Sequence, residues 1–291
     1  MGLTYQTELG FYTLCDKPTQ AELDEYYAQK YFQQLKSKTY SASYSDQELN
    51  LFEQKLEQRY AAICEKRDTK TYERFLDVGC GEGFALNFFE QRGYQVKGLD
   101  YSSAGIKQHH PKLLDKLVEG DVFKSLQNEL ELKNKYEIVW LQNVLEHVLE
   151  PVDLLEDLKG LLSKNGVLVI TVPNDFSELQ TYALNNSYVD SEYWVAIPDH
   201  ISYFNTLNIN EVIEKTGWKM LDKLADFPID WFIFNNHSNY IKNKSVGKEG
   251  HFARLTIENL ISKNGSDKAN AFYRSLADLG MGRNTTVIVG L

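Results

Sequence analysis

The stretch Leu76-Asp77-Val78-Gly79-Cys80-Gly81-Glu82-Gly83 constrains the fold of this chain more than any other. An apolar run ends there in three glycines at alternate positions and passes into a helical pattern. Glycine has no Cβ, so such a loop takes turns closed to other residues and lets a ligand approach its backbone. A strand that feeds a glycine loop into a helix is the first turn of a parallel α/β unit, and the pattern recurs downstream. Phe75 to Val78, Gln95 to Leu99, Leu117 to Glu119, Tyr136 to Leu141 and Val167 to Val172 read as strands separated by helices.

The helix before the fifth strand repeats Leu154, Leu155, Leu158, Leu161 and Leu162, and Asn165-Gly166 is expected to turn it into that strand. Beyond Pro173 an aromatic insert runs to about Phe204. A helix over Asn208 to Thr216 follows, then Gly217 and a strand over Trp218 to Ala225. The last strand, Thr285 to Val289, is expected to pair antiparallel with the sixth. The fold class is therefore α/β, a doubly wound, seven-stranded, mostly parallel sheet of Rossmann-like form. The expected organisation is a helical, tyrosine-rich cap over residues 1–70, a ligand-binding core over 71–225, a helical cap insert over 226–283 and a last core strand over 284–291. Eight of the eighteen tyrosines precede residue 61, where even spacing would put about four. Capping boxes at Thr19 with Glu22 and Ser45 with Glu48 mark helix starts there.

Charge narrows the function. Thirty-one basic against forty-one acidic residues give a net charge of −10, the wrong sign for binding nucleic acid or an anionic membrane. No stretch approaches the ~20 apolar residues of a membrane span. The polar start, with Glu8, shows no secretory signal, and Gln6 stands where myristoylation after Gly2 wants Ser or Thr. Cys15, Cys64 and Cys80 are odd in number and have no CxxC spacing, so a reduced, cytoplasmic protein without a metal site is expected.

Two acids accompany the glycine loop. Asp100 ends the second strand, where a carboxylate accepts both hydroxyls of a ribose. Asp121 follows the third, where it can receive the amino group of an adenine. Taken singly, Asp100 suits a helix cap and Asp121 a turn, and a glycine loop with one acid also suits a nicotinamide enzyme. Here, however, the third glycine falls one position short of GxGxxG. Together the loop and both acids sketch an adenosine site. Cys80 reads as a small buried loop residue.

Asp77-Val78-Gly79-Cys80-Gly81-Glu82-Gly83, Leu99-Asp100-Tyr101-Ser102, Gly120-Asp121-Val122 and Leu141-Gln142-Asn143-Val144-Leu145-Glu146-His147-Val148 with Pro151 resemble, in order and spacing, the motifs of class I S-adenosylmethionine-dependent methyltransferases. The resemblance covers residues 74 to 225. It implies S-adenosylmethionine as cofactor, bordered by Asp77, Gly79, Cys80, Gly81, Gly83, Asp100, Tyr101, Asp121, Val122, Gln142 and Asn143.

Among the histidines, His109 and His110 read as solvated. His147 falls one helical turn after Asn143, near the methyl donor, as a pocket or catalytic residue. Ile197-Pro198-Asp199-His200-Ile201-Ser202-Tyr203-Phe204 resembles a segment of sugar C-methyltransferases in which the histidine is the proposed base. That resemblance implies His200 as base, Asp199 as the residue that orients it, and Tyr203 near the substrate. This chain has Asp199 where those enzymes have Glu, and it lacks their N-terminal zinc domain. Gly10-Phe11-Tyr12, Pro18-Thr19, Leu23-Asp24-Glu25-Tyr26-Tyr27, Tyr31, Phe227-Pro228-Ile229-Asp230 and Gly280-Met281-Gly282-Arg283 resemble bacterial methyltransferases that accompany surface-polysaccharide genes. Arg283 and Arg254 are candidates for holding an acceptor's carboxylate or phosphate, with surface ion pairs as their other use. The expected acceptor is a small polar molecule, a sugar or sugar-derived intermediate methylated on O, N or C. A quinone or other metabolite is the second choice, and a cofactor-binding scaffold without turnover is the third.

Overall fold

Apolar residues run almost unbroken along the core strands, and because successive side chains point to opposite faces they enter two different layers on either side of one sheet. The computed structural model describes residues 2–23, 25–26 and 43–291; Asp24, Tyr27 and Tyr31 lie outside the described residues. The chain opens with two short strands, β1 (Thr4–Gln6) and β2 (Tyr12–Leu14), followed after the cap at Ser45 by helix α1 (Asp46–Lys66). The core then alternates β3 (Arg74–Val78), α2 (Phe84–Glu90), β4 (Gln95–Asp100), α3 (Ala104–His109), β5 (Leu117–Glu119), α4 (Val122–Glu131), β6 (Tyr136–Gln142), α5 (Pro151–Leu161) and β7 (Leu162–Pro173). Helix α6 (Glu178–Asn185), strand β8 (Ser202–Tyr203), helix α7 (Asn208–Lys215) and strand β9 (Lys219–Ala225) follow. Helices α8 (Gly247–Ser262) and α9 (Ser266–Asp278) lead to β10 (Asn284–Gly290).

The main sheet has seven strands in the order β5-β4-β3-β6-β7-β10-β9. Strand β10 runs antiparallel to both β7 and β9, so the last strand pairs with the sixth as expected and also inserts between it and the fifth. One face buries Leu76, Val78, Leu99, Val139 and Leu141 against α4, α5 and α7. The other buries Phe75, Val96, Ile138 and Trp140 against α1, α2, α3 and α9. Burying an aliphatic or aromatic side chain stabilises by about 1.5–3 kcal/mol, and this second layer draws on both flanks of the sequence. Helices α1 and α9 thus form part of the core layer.

Both capping boxes form. The Thr19 N–H reaches Glu22 Oε2 at 2.7 Å and Glu22 answers with its N–H on Thr19 Oγ1 at 3.3 Å; Ser45 and Glu48 do the same at 2.8 and 3.4 Å. Two expectations change. Residues 4–14 are not helical: β1 and β2 pair antiparallel, and β2 continues onto β8 to make a separate three-stranded sheet. Asn165-Gly166 does not separate helix from strand either. Strand β7 already starts at Leu162, and its register against β6 jumps from Tyr136↔Leu162 to Ile138↔Val167, so the pair sits in a bulge. A Cβ on Gly166 would lie 3.0 Å from the Tyr136 and Glu137 carbonyl oxygens. The glycine is there for close backbone packing.

Candidate active site

The loop between β3 and α2 is tied down by its own backbone. The Gly79 and Cys80 N–H groups both donate to the Leu99 carbonyl, at 2.8 and 3.1 Å. Gly79 has φ +76°, and a Cβ there would stand 2.6 Å from Val144 Cγ2. Gly83, at φ +79°, caps α2 and backs onto Ile106. Cys80 is buried, with its Sγ against the Cα side of Gly98. Burial pushes its thiol well above the usual range, as suits a packing residue and not a nucleophile.

Asp100 is 4% exposed. Its Oδ2 accepts the Gly81 N–H at 2.7 Å and its Oδ1 the Ser102 N–H at 2.9 Å. Burial raises its pKa, and these hydrogen bonds oppose the rise. Asp77 beneath the loop is pushed up to about 8, by burial first and by the Asp100 charge second. Asp121 caps α4: its Oδ1 accepts the Phe123 and Lys124 N–H groups at 2.9 and 3.1 Å. Its neighbours Val122 and Phe123 line the adjoining cavity.

That cavity, of about 580 Å³, opens at the carboxyl ends of β3, β4 and β6, where ligands enter open α/β sheets. Gly79, Gly81, Asp100, Tyr101, Val122 and Asn143 form one wall, and His147 and Asp199 form another. Gln20 and Leu23 from the N-terminal segment close a third side. A second cavity of about 340 Å³ lies across the loop and shares Gly79, Gly81 and Asn143. Asp77, Cys80 and Gln142 face this second space together with Lys55 and Arg59. Asn143 has φ +54° and donates its N–H to the Thr171 carbonyl; Asn tolerates this left-handed conformation better than most residues.

The two candidate histidines meet. His147 follows β6 and His200 precedes β8, with ring centroids 4.9 Å apart in an edge-to-face arrangement. The Ile201 N–H donates to the Glu146 carbonyl at 2.8 Å, and β2 fixes Ile201 in turn through the Leu14 N–H at 3.1 Å. Asp199, expected beside His200, also reaches His147: His147 Nδ1 lies 2.6 Å from the Asp199 carbonyl and 3.8 Å from its Oδ1. The carboxylate beside His200 is Asp175, 3.9 Å from Nδ1. Tyr203 is fully buried with its hydroxyl on the His200 carbonyl at 2.9 Å. Arg283 pairs with the buried Asp175 at 2.7 Å. Both support the histidine segment from behind and do not line the cavity. Arg254 pairs with Glu258 at 3.1 Å. His109 and His110 are not solvated: they clasp Glu82 of the loop, at 3.2 Å to its carboxylate and 2.7 Å to its carbonyl.

Sequence reasoning gave no role to Glu146 or Arg59. Glu146 is 1% exposed, and burial pushes its carboxyl up to about 8. Arg59 reaches from α1 to the Gln142 side-chain oxygen at 2.7 Å, and desolvation lowers its pKa to about 10. The signal available for Glu146 was a carboxylate next to a site histidine, and for Arg59 a cation on the helix that leads into β3.

Residues 47–223, more than half of the chain, match the family described as "Methyltransferase domain". The ubiquinone biosynthesis O-methyltransferase of Pasteurella multocida is 28% identical over 127 residues, which is 40% of this chain and 52% of that protein. A Mycolicibacterium smegmatis protein named as a probable S-adenosylmethionine-dependent methyltransferase is 26% identical over 58% of this chain and 59% of its own length. The chain thus spans little more than half of these relatives. The plantazolicin methyltransferase BamL, whose structure holds S-adenosylhomocysteine, is 12% identical over 94% of this chain and 90% of its own, with a TM-score of 0.50; it shares the fold. Among the described residues no helix is long and apolar enough to cross a membrane. With the glycine loop, Asp100 and the strand order in place, the chain belongs to the methyltransferase-domain family and carries a class I S-adenosylmethionine-dependent methyltransferase domain.

Proposed function

We propose that the protein transfers a methyl group from S-adenosylmethionine to a small polar acceptor, a sugar or sugar-derived intermediate of surface-glycan biosynthesis. One observation carries the reading: the Gly79–Gly81 loop and Asp100 share a cavity with His147 and Asp199, so a cofactor-shaped wall faces a proton-handling wall. Asp100 accepts the ribose hydroxyls, Tyr101 and Val122 border the adenine, and Asp121, the residue before Val122, caps α4. The methionine end extends past Asn143 toward Arg59, a cation that faces the neighbouring cavity and holds Gln142.

Methyl transfer is an in-line displacement. The acceptor oxygen attacks the methyl carbon, the carbon–sulfur electron pair leaves with sulfur, and the acceptor proton passes to a base. Holding donor and acceptor about 3 Å apart in line supplies most of the acceleration. A neutral hydroxyl is a weak nucleophile, so His200, beside His147 and Asp175, is the residue we assign to the proton. The sugar reading rests on the Asp199-His200-Ile201-Ser202-Tyr203-Phe204 segment. A second reading, a quinone or other planar metabolite, is favoured by the apolar side of the same cavity: Leu23, Val144, Val148, Leu149 and Leu154.

Production of S-adenosylhomocysteine against a panel of nucleotide sugars, free sugars and hydroxylated quinones tests both readings. Turnover confined to the sugars supports the first, and turnover confined to the quinones replaces it with the second. Absence of turnover with every acceptor, while the cofactor still binds, favours a scaffold. His200→Gln should leave S-adenosylmethionine affinity unchanged and lower kcat by about 10²-fold. If His147→Gln has that effect and His200→Gln does not, the two roles exchange.

A further inference from the structure

Glu146, His147 and His200 each offer a ligand atom, and these atoms lie within 4.8 Å of one another. Three features of the cluster point to a cation. The first is the Glu146 carboxylate: it is 1% exposed, and the Asn143 side chain and its own backbone N–H approach it without forming hydrogen bonds of good geometry. A carboxylate so poorly satisfied in the interior is unfavourable unless something positive or a proton meets it.

The second is the tautomer of His147. Its Nδ1 sits 2.6 Å from the Asp199 carbonyl oxygen, which can only accept, so Nδ1 carries the hydrogen and Nε2 is the nitrogen with the lone pair when the ring is neutral. That lone pair stands on the Glu146 side, 3.8 Å from Oε1. A backbone carbonyl that fixes one ring nitrogen while the other faces a carboxylate is the arrangement that orients metal-ligating histidines. The third is charge. Glu146, Asp175 and Asp199 surround the two rings, and the guanidinium of Arg283 is already paired with Asp175 at 2.7 Å.

We propose that Glu146, His147 and His200 bind a divalent first-row transition cation at the rim of the cofactor cavity, with an open coordination position toward the acceptor. Two imidazoles and a carboxylate are a ligand set of catalytic sites that keep such a position. Bonds of roughly 2.0–2.2 Å set ligand atoms ~3.4 Å apart, so the present spacing closes by side-chain rotation of about an ångström. His147 already lines the cavity, so the open position faces it. A cation there would bind the acceptor oxygen and lower the pKa of its hydroxyl. With the ion bound, His200 is a ligand in place of the base assigned to it above, His147 is a ligand beside it, and the hydroxyl proton leaves to Asp199 or solvent. This deepens the reading given above for the same wall, but the site is measurable without any acceptor.

The test uses the full chain, freed of any affinity tag and dialysed against chelator, then titrated with Co²⁺ by calorimetry and visible absorption. The wild type should bind one ion per chain with the visible bands of a nitrogen- and oxygen-ligated site. Glu146→Gln and His200→Gln should each weaken affinity at least tenfold, and His237→Gln, outside the cluster, should not. Circular dichroism checks the fold. If Glu146→Gln fails to fold, His200→Gln decides alone, because that side chain is partly exposed. No saturable binding by the wild type, or binding unchanged in His200→Gln, overturns the site. Turnover by the metal-free protein equal to that of the loaded one removes the catalytic role and leaves methyl transfer itself standing. Cofactor binding without turnover in the loaded protein counts instead against the methyltransferase reading.

Discussion

The Asp100 carboxylate accepts the Gly81 backbone N–H at 2.7 Å, so the residue assigned to the ribose also holds the glycine loop. Removing the carboxylate should therefore act on loop and ligand together. Asp100→Ala is expected to weaken S-adenosylmethionine binding by roughly 1–3 kcal/mol, the range of a lost charge-assisted hydrogen-bond pair. Asp100→Asn keeps an acceptor for the Gly81 N–H but carries no charge, and should fall between wild type and alanine. Calorimetry on the three proteins checks the order. Equal affinities would remove Asp100 from the cofactor site.

The loop itself can be tested through one methyl group. Gly79→Ala places a Cβ 2.6 Å from Val144 Cγ2 at a φ of +76°. The clash and the strained backbone together should destabilise by about 1–3 kcal/mol and impair cofactor binding. In Gly79→Ala with Val144→Ala the offending methyl is gone, and the nearest remaining atom of residue 144, its Cβ, is 3.9 Å away. The double variant should recover the steric part and keep the φ part, about 1 kcal/mol. Urea unfolding measures both, and a double variant no more stable than Gly79→Ala would assign the whole effect to backbone strain.

Much of this was legible in the sequence for physical reasons that differ by element. The core strands announce themselves because buried parallel strands are short apolar runs, and Gly79, Gly81 and Asp100 announce the site because the loop geometry demands those residue types. The β1–β2–β8 sheet was not legible. Thr13 and Tyr12 pair with Ser202 and Tyr203 some 190 residues away, and no local pattern records such a partner. Asn165-Gly166 misled for the opposite reason: a turn dipeptide also serves a bulge whose neighbours are carbonyls of another strand. The contact from Asp199 to His147 was not legible, because the group that orients the ring is a backbone carbonyl, which any residue would supply. Glu146 shows itself only when burial and the two histidines are seen together.

Asp77 supplies a pH dependence with a defined sign. Its folded-state pKa is raised to about 8 from an ordinary 3.8, chiefly by burial. Between those values the folded state binds the proton and the unfolded state does not, so stability falls as pH rises across that window. Asp77→Asn mimics the protonated form and cannot ionise. Its thermal midpoint should change less between about pH 5 and pH 8, ~3 units inside that window, than that of the wild type. Parallel curves for the two proteins would mean that Asp77 is ionised throughout.

Lys55 ties the flanks of the sequence to the sheet. From α1 it reaches Glu258 on α8 at 3.1 Å and Asp226, just past β9, at 3.6 Å. Glu258 has no exposed side-chain surface. Burial alone would raise the Asp226 carboxyl; the Lys55 charge and the hydrogen bonds from Asn284 hold it below its ordinary value. Breaking a buried pair from one side leaves an uncompensated charge and typically destabilises by about 3–5 kcal/mol. Lys55 keeps some contact with solvent and Arg254 remains beside Glu258, so Lys55→Met is expected to cost less than that, about 2–3 kcal/mol. Adding Glu258→Gln removes one stranded charge, and the double variant should be more stable than Lys55→Met alone. That reversal separates electrostatics from packing: if lost contacts of the lysine stem were the cause, the second substitution would restore nothing. Cofactor affinity, measured on the folded fraction, should move little, because the adenosine wall lies across the loop from Lys55. A large loss of affinity would place the cofactor's amino-acid end against Lys55 as well as Arg59.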